Sequence, residues 1–176
     1  QKTFANGGEL DYNYDKGLLE TITRTDSAGG SQSIACDYDA FGNLTGVSVG
    51  GLLLASYQYG AKNGLLAKQT YGNGEEIEFE YDRLGRTTRA SYSSGRILTY
   101  AYNGDGQLYS IHDNAGTAAA NDDVTYFYTY DSLKRAISCQ MYRGIAQLLS
   151  VRWEYDDASR VKSQAWQMGQ QSYEET

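Results

Sequence analysis

Apolar and polar residues alternate in short blocks along most of the chain. Residues 8–15 place Leu10, Tyr12 and Tyr14 at every second position, with Asp11 and Asn13 between them. The same alternation returns in 33–39, 54–59, 76–82, 96–102, 124–130 and 149–156. A period of two marks a strand buried on one face, whereas a helix would scatter these positions around its circumference. Each block runs into Asp, Gly and Asn, most plainly in Asp39-Ala40-Phe41-Gly42-Asn43 and Asp82-Arg83-Leu84-Gly85-Arg86. Asp hydrogen-bonds its own backbone two residues on, and Gly takes the positive φ that a hairpin return needs. Shorter second strands, such as 44–49 and 108–111, lead to looser connections at 28–31, 72–74 and 93–95. Each unit reads strand, turn, strand, loop, so the predicted class is all-β, built of tandem antiparallel hairpins.

Tyrosine sets the register of the repeat. The anchors Tyr14, Tyr38, Tyr59, Tyr81, Tyr102, Tyr130 and Tyr155 are spaced by 24, 21, 22, 21, 28 and 25 residues. Asp follows five of them, as Asp15, Asp39, Asp82, Asp131 and Asp156, while Gly60 and Asn103 stand in the other two. Gly42, Gly85 and Gly106 come four residues after their anchors; Lys134 and Ser159 hold the same slot. Two residues before the anchors stand Tyr12, Cys36, Tyr57, Phe79, Tyr100, Tyr128 and Trp153, and the six aromatic members other than Cys36 are expected to form a ladder beside the anchors on one face. Four before stand Leu10, Ile34, Ala55, Ile77, Leu98, Tyr126 and Val151. The columns delimit seven repeats at 8–27, 33–50, 54–72, 76–93, 96–112, 124–143 and 149–166. An exposed Ala, Asn and Gly-rich insertion is expected at 113–123 and a C-terminal tail at 167–176. Two strands per repeat give about 14 strands, or about 65 Å of sheet. Open sheets rarely exceed about ten strands without curling. The sheet is therefore expected to curl into a solenoid or shell segment, or to continue into neighbouring repeats or further copies through its edges.

Composition follows from the repeat: 17 Tyr and 20 Gly, but no Pro where about nine would be usual. The net charge of −7 comes with no basic stripe, which argues against nucleic acid as a partner. The longest apolar run is Leu52–Ala55, so no membrane span is expected. The chain opens on Gln1 with no secretion-signal pattern, which leads us to expect a piece of something longer. Cys36 and Cys139 have no metal-type spacing; they read as small apolar residues, their redox state open.

Candidate chemistry is sparse. His112 beside Asp113 lacks a nucleophile and reads as a solvated loop histidine. Asn103-Gly104-Asp105-Gly106 lacks the closing Glu of a calcium loop and coincides with a repeat turn. Glu78 and Glu80 share the polar face of one strand, as a solvated face rather than an acid/base pair. No catalytic, cofactor or metal residue is assigned, and no enzyme activity is expected. The tyrosines could stack on sugars, but alternation places them beside Leu, Ile and Val, which favours a structural role.

The pattern Tyr81-Asp82-Arg83-Leu84-Gly85-Arg86-Thr87, repeated as Tyr38-Asp39-Ala40-Phe41-Gly42-Asn43-Leu44, resembles the YD repeat. Rhs and wall-associated bacterial proteins, the C components of insecticidal toxin complexes and teneurins share that repeat. The resemblance covers residues 8–166. It implies successive β-hairpins in a long sheet that spirals into a hollow shell, enclosing a C-terminal effector in the toxins and serving elsewhere as a cell-surface scaffold. Family shells are several times longer, and their Pro-rich closing segment has no counterpart in a chain without proline. Encapsulation and self-cleavage are therefore not carried onto residues here. The resemblance points to a non-catalytic scaffold, a segment of an Rhs/YD-repeat shell or of a secreted or cell-surface polymorphic-toxin-like bacterial protein. Its partners would be neighbouring repeats, an encapsulated effector domain or surface glycans. Two alternatives stay open: a self-assembling extracellular fibre subunit pairing through sheet edges, and a carbohydrate-binding or adhesion module using its tyrosine stripes.

Overall fold

The structure, a computed structural model, describes residues 2–5, 7–117 and 122–175. It is all-β and antiparallel, and strand order follows chain order throughout. Two compact units divide the chain at Glu78 and Phe79. The first holds β1 (Lys2–Thr3), β2 (Glu9–Asp15), β3 (Leu18–Thr25), β4 (Ser31–Tyr38), β5 (Leu44–Val49), β6 (Leu52–Tyr59) and β7 (Leu66–Tyr71), and the division falls inside β8 (Glu76–Tyr81). The second holds β9 (Thr87–Tyr92), β10 (Ile97–Tyr102), β11 (Leu108–Asp113), β12 (Val124–Tyr130), β13 (Ala136–Arg143), β14 (Ala146–Tyr155), β15 (Val161–Met168) and β16 (Gln171–Glu175).

Sixteen strands among the described residues exceed the 14 expected because each end of the chain adds one. β1 pairs with β2, and β16 pairs with β15 from Gln164↔Glu175 to Met168↔Gln171, so most of the expected tail at 167–176 is a hairpin. The expected loop at 113–123 also begins later than its composition suggests. Asp113 still pairs with Leu98 and Val124, and residues 118–121 lie outside the described residues.

Five of the seven turns after the anchors share one geometry. In the second repeat the Asp39 N–H donates to the Asn43 carbonyl at 2.9 Å, and the Gly42 N–H donates to the Asp39 carbonyl at 3.1 Å. This is a type I turn followed by a left-handed residue. Gly42, Gly85 and Gly106 take that conformation at φ 86°, 78° and 80°, and Lys134 and Ser159 take it without glycine at 64° and 61°. The first turn is shorter: Lys16 and Gly17, both at positive φ, join the paired Asp15 and Leu18. The third is longer, so Leu66 rather than Leu65 faces Tyr59.

Register slips at the anchors. Asn13 faces Thr21 but Tyr14 faces Leu19, leaving Glu20 as an extra residue on the return strand. The same bulge leaves Thr45, Ala67, Tyr109, Ile137 and Lys162 unopposed. Rows of paired residues then drift from repeat to repeat. Tyr12 pairs through Ile22 with Ile34, Cys36 through Val47 with Ala55, and Tyr57 through Gln69 with Ile77. In the second unit Tyr100 leads through Ile111 to Tyr126, and Tyr128 through Cys139 to Val151. In these five rows the position two before an anchor meets the position four before the next. The hairpins are staggered by two residues per repeat, the shear that tilts strands in closing or coiling sheets.

The stagger changes the expected aromatic ladder. Tyr12, Tyr100 and Tyr128 face Ile22, Ile111 and Cys139 across the strands, not one another. The ring–ring contacts found among the described residues are Tyr109–Phe127 and Phe127–Tyr142, outside the predicted columns. Burial is shallow: the buried apolar residues are Ala55, Ile77, Ala90 and Val151, three of them four before an anchor. The chain exposes 11970 Å². A compact protein of this mass would expose about 8,500 Å². The anchors from Tyr38 to Tyr155 are half-buried, whereas Tyr12 and Tyr14 beside the short β1 are exposed.

The left-handed slot yields a stability test by urea titration. Gly85→Ala should destabilise by about 1–2 kcal/mol, because Cβ crowds the following carbonyl at positive φ. Ser159→Gly should shift the midpoint in the opposite direction, since Ser159 already bears that strain at φ 61°.

Candidate functional site

The recurring chemical feature is a tyrosine hydroxyl that closes onto the preceding repeat. Tyr38 donates to the Leu19 carbonyl at 2.9 Å, and Tyr59 to the Leu44 carbonyl at 2.9 Å. Tyr102 donates to Thr87 at 2.8 Å, Tyr130 to Leu108 at 2.7 Å and Tyr155 to Ala136 at 2.7 Å. Leu19, Leu44, Leu108 and Ala136 are the residues that face the preceding anchors Tyr14, Tyr38, Tyr102 and Tyr130. The bulge beside each anchor interrupts the ladder, and the next tyrosine supplies a donor there. Burial raises the phenols of Tyr38, Tyr81 and Tyr130, and it pushes Tyr128, beside Cys139, up to about 12. Tyr14 is 59% exposed and marks the open end of the series.

The aspartate after the anchor organises the turn. Asp82 Oδ1 accepts from the Leu84 and Arg86 N–H groups at 2.8 and 3.0 Å, and its Oδ2 accepts from Arg86 Nε at 2.7 Å. Asp131 holds Leu133 N, Arg135 N and Arg135 Nε at 2.9, 2.9 and 2.7 Å. Asp156 holds Ala158 N, Arg160 N and Arg160 Nε at 2.9, 2.9 and 2.8 Å. Asp39 does the same with the Phe41 and Asn43 N–H groups and the Asn43 amide. The Asn43 side chain and backbone hold Asp39 below the usual carboxylate range. Burial pushes Asp82 upward, but the Arg86 and Leu84 hydrogen bonds outweigh it and leave the carboxyl lowered. Backbone and side chain of Arg135 and Arg160 lower Asp131 and Asp156. Asp15, in the short first turn, has only an exposed contact with Lys16 at 3.9 Å.

The residue after the left-handed slot reaches into the next repeat. The Arg86 guanidinium lies 4.4 Å from the Tyr102 ring centre, and that of Arg135 lies 4.6 Å from Tyr155. Arg135 Nη1 also donates to Ser159 Oγ at 3.1 Å. Where the fifth repeat has Asn103 and Gln107, Asn103 Oδ1 accepts from the Gln107 N–H at 2.9 Å, and Gln107 Nε2 donates to the Lys134 carbonyl at 3.3 Å. Sequence reasoning assigned no role to this column, although Arg or Asn after the turn glycine was visible in the motif.

The remaining sequence candidates are dispersed. His112 sits in β11, not in a loop, with Nδ1 3.0 Å from Thr125 Oγ1 and Nε2 3.4 Å from Asp123. It stands on an open strand face whose backbone N–H groups are committed to the ladder. Glu78 lies 3.9 Å from Lys68, and Glu80 lies 3.9 Å from Arg89. Residues 103–107 form the fifth turn, with Asn103 as its capping side chain. Cys36 and Cys139 are free and half-buried. No cluster of His, Cys, Asp and Glu among the described residues has metal-binding geometry. The polar face instead carries an aromatic cluster that the columns did not reveal, Tyr109, Phe127 and Tyr142.

Removing an anchor hydroxyl tests the clasp. Tyr130→Phe should cost about 1 kcal/mol in chemical denaturation, because the partly buried Leu108 carbonyl loses its donor. Tyr14→Phe, on a side chain already 59% exposed, should be nearly neutral.

Three comparisons bear on this geometry. The RHS Repeat family matches residues 62–97. No curated protein sequence matches the chain. Among solved structures, TcdB2-TccC3 without its hypervariable C-terminal region superposes with a TM-score of 0.70 at 23% identity over 94% of this chain. TcdB2-TccC3 gives 0.69 at 21% identity, and TcdB2-TccC3-Cdc42 gives 0.68 at 20% identity. The chain spans about a tenth of those structures' matched chains, 9% and 10% of their lengths, so the likeness is one of fold. The stretch that matches the RHS repeat runs from the third turn to the start of β10, inside a series of hairpins of like construction.

Proposed function

We propose that this chain is a non-catalytic structural segment, a stretch of Rhs/YD-repeat wall from a secreted or cell-surface bacterial protein of polymorphic-toxin type. The observation that carries the reading is the clasp. Five anchor hydroxyls, the turn aspartates Asp39, Asp82, Asp131 and Asp156, and the arginines Arg86 and Arg135 beyond them are engaged with their own or the neighbouring repeat. Residues committed to joining repeats are not available for chemistry on a substrate. Both the RHS repeat at 62–97 and the likeness to the TcdB2-TccC3 fold support a wall-building role. The half-covered anchor face fits a wall, whose inner surface meets a lumen or enclosed chain rather than a second layer of its own. Among the described residues no helix is long and apolar enough to cross a membrane.

One observation favours a second reading, a glycan-binding face. Phe127 stands where the other repeats place Asp11, Ala35, Ser56, Glu78, Thr99 and Arg152, and it joins Tyr109 and Tyr142 among polar neighbours. Tyrosine is suited to such contacts because it is rigid and amphipathic.

Particles captured from the producing bacterium with an antibody to these repeats, viewed by electron microscopy, test the main reading. Hollow particles from the medium or cell surface are expected. Isolated compact monomers would overturn it, and filaments would favour the fibre subunit. On a glycan array, binding abolished by Tyr109→Ala would establish the second reading, and no binding by the intact chain would end it.

A further inference from the structure

The turns of the second unit are not chemically equivalent. The fourth, sixth and seventh are closed by a carboxylate and an arginine: Asp82 with Arg86, Asp131 with Arg135, Asp156 with Arg160. The fifth is closed by two neutral side chains, Asn103 and Gln107. The closing residues of the fourth, fifth and sixth turns also make the contact to the following repeat, while Arg160 stays on its own turn. Arg86 stacks on Tyr102, Gln107 donates to the Lys134 carbonyl, and Arg135 covers Tyr155 and bonds Ser159. The arginines are aimed by their aspartates, since Nε is bound by Oδ2 at 2.7 Å in both Asp82 and Asp131.

We propose that these carboxylates form a proton-operated clasp: in acid, protonating Asp82 and Asp131 releases Arg86 and Arg135 from the next repeat and protonating Asp156 frees Arg160 on its own turn, while the neutral Asn103–Gln107 link stays shut. A protonated carboxyl loses two of its charge-assisted bonds and presents a hydroxyl toward the arginine. The guanidinium, no longer held in line with the ring, gains the freedom of a long side chain. Repeats five and six therefore stay joined through Gln107 while the fourth and seventh loosen on either side.

The charges around each group set the direction. Asp82 faces Arg86, with Arg83 on the same turn and Asp105 on the next. Asp131 faces Arg135, with Lys134 beside it. Asp156 faces Arg160 and feels Arg135 from the preceding turn, with Asp157 adjacent. These surroundings hold all three carboxyls below their ordinary range in the folded state. Stability from a lowered carboxyl is fully present above the unfolded value, about 3.9, and is lost as pH falls through the lower folded value. The clasp is closed at neutrality and opens as pH falls past the unfolded carboxyl value and through the lower folded one.

Amide hydrogen exchange of the intact chain between pH 7 and pH 3 tests this, read as protection relative to unstructured peptide. Protection at Gly85, Lys134 and Ser159, whose N–H groups close the three aspartate turns, should fall progressively in acid as the carboxyls take up protons. Protection at Gly106 should hold over the same range. Should the whole unit unfold at once in acid, exchanging the closing pairs still decides the matter through the pH midpoint of unfolding. D131N/R135Q should move that midpoint to lower pH, and N103D/Q107R should move it to higher pH. Equal loss of protection at all four turns, together with midpoints unmoved by either exchange, would overturn the proposal.

Discussion

The bond from a tyrosine hydroxyl to a carbonyl of the preceding return strand holds this architecture in register. A classical antiparallel ladder would need no such bond. Here six of the return strands carry an extra residue opposite the anchor, and that bulge takes the local backbone out of the ladder. Burying such a carbonyl without a donor would be costly. The next anchor delivers a donor at 2.7 to 2.9 Å in each of five repeats. Phenylalanine would fill the same volume but could not make this bond, which is why the column is tyrosine and not simply aromatic.

The remainder of the repeat serves that placement. Aspartate fixes the turn that follows the anchor, the left-handed slot brings the chain back, and the next side chain ties the turn to its neighbour. The two-residue stagger arises from the same bulges. It sends each row of apolar side chains obliquely across the strands, so aliphatic residues of return strands fill the gaps between rings. Such a sheet has little interior of its own: four apolar residues are buried among those described, and none of them fully. Cohesion rests on local, repeated polar closures more than on a central core, as expected where each repeat meets mainly its neighbours.

Much of this was legible before any coordinates. Period two, the tyrosine spacing and the Asp-to-Gly turns identify hairpins because each reflects a local steric or hydrogen-bonding rule. The strands missed were those outside the columns: β16 has polar residues with no anchor to mark it, and pairs only because β15 offers an edge. His112 was misplaced for a similar reason. Its insertion-like surroundings suggested a loop, yet pairing with Thr99 and Thr125 continues the strand through it. The arginine contacts with the next tyrosine were illegible, since residues 16 or 20 apart meet only when neighbouring hairpins lie at a known stagger.

The sequence by itself determined the unit: strand, capped turn, return strand, and a tyrosine at a fixed place in each. Those features depend on interactions within a few residues, so spacing and side-chain type suffice to specify them. Only the tertiary structure decided what the unit's polar groups are for. Register between strands, the bulge that exposes a carbonyl and the reach of a phenol or guanidinium into the next repeat depend on residues 15 or more positions apart. The composition rich in tyrosine and devoid of proline records the same division: tyrosines bridge repeats, and nearly every backbone N–H remains available to the ladders that align them.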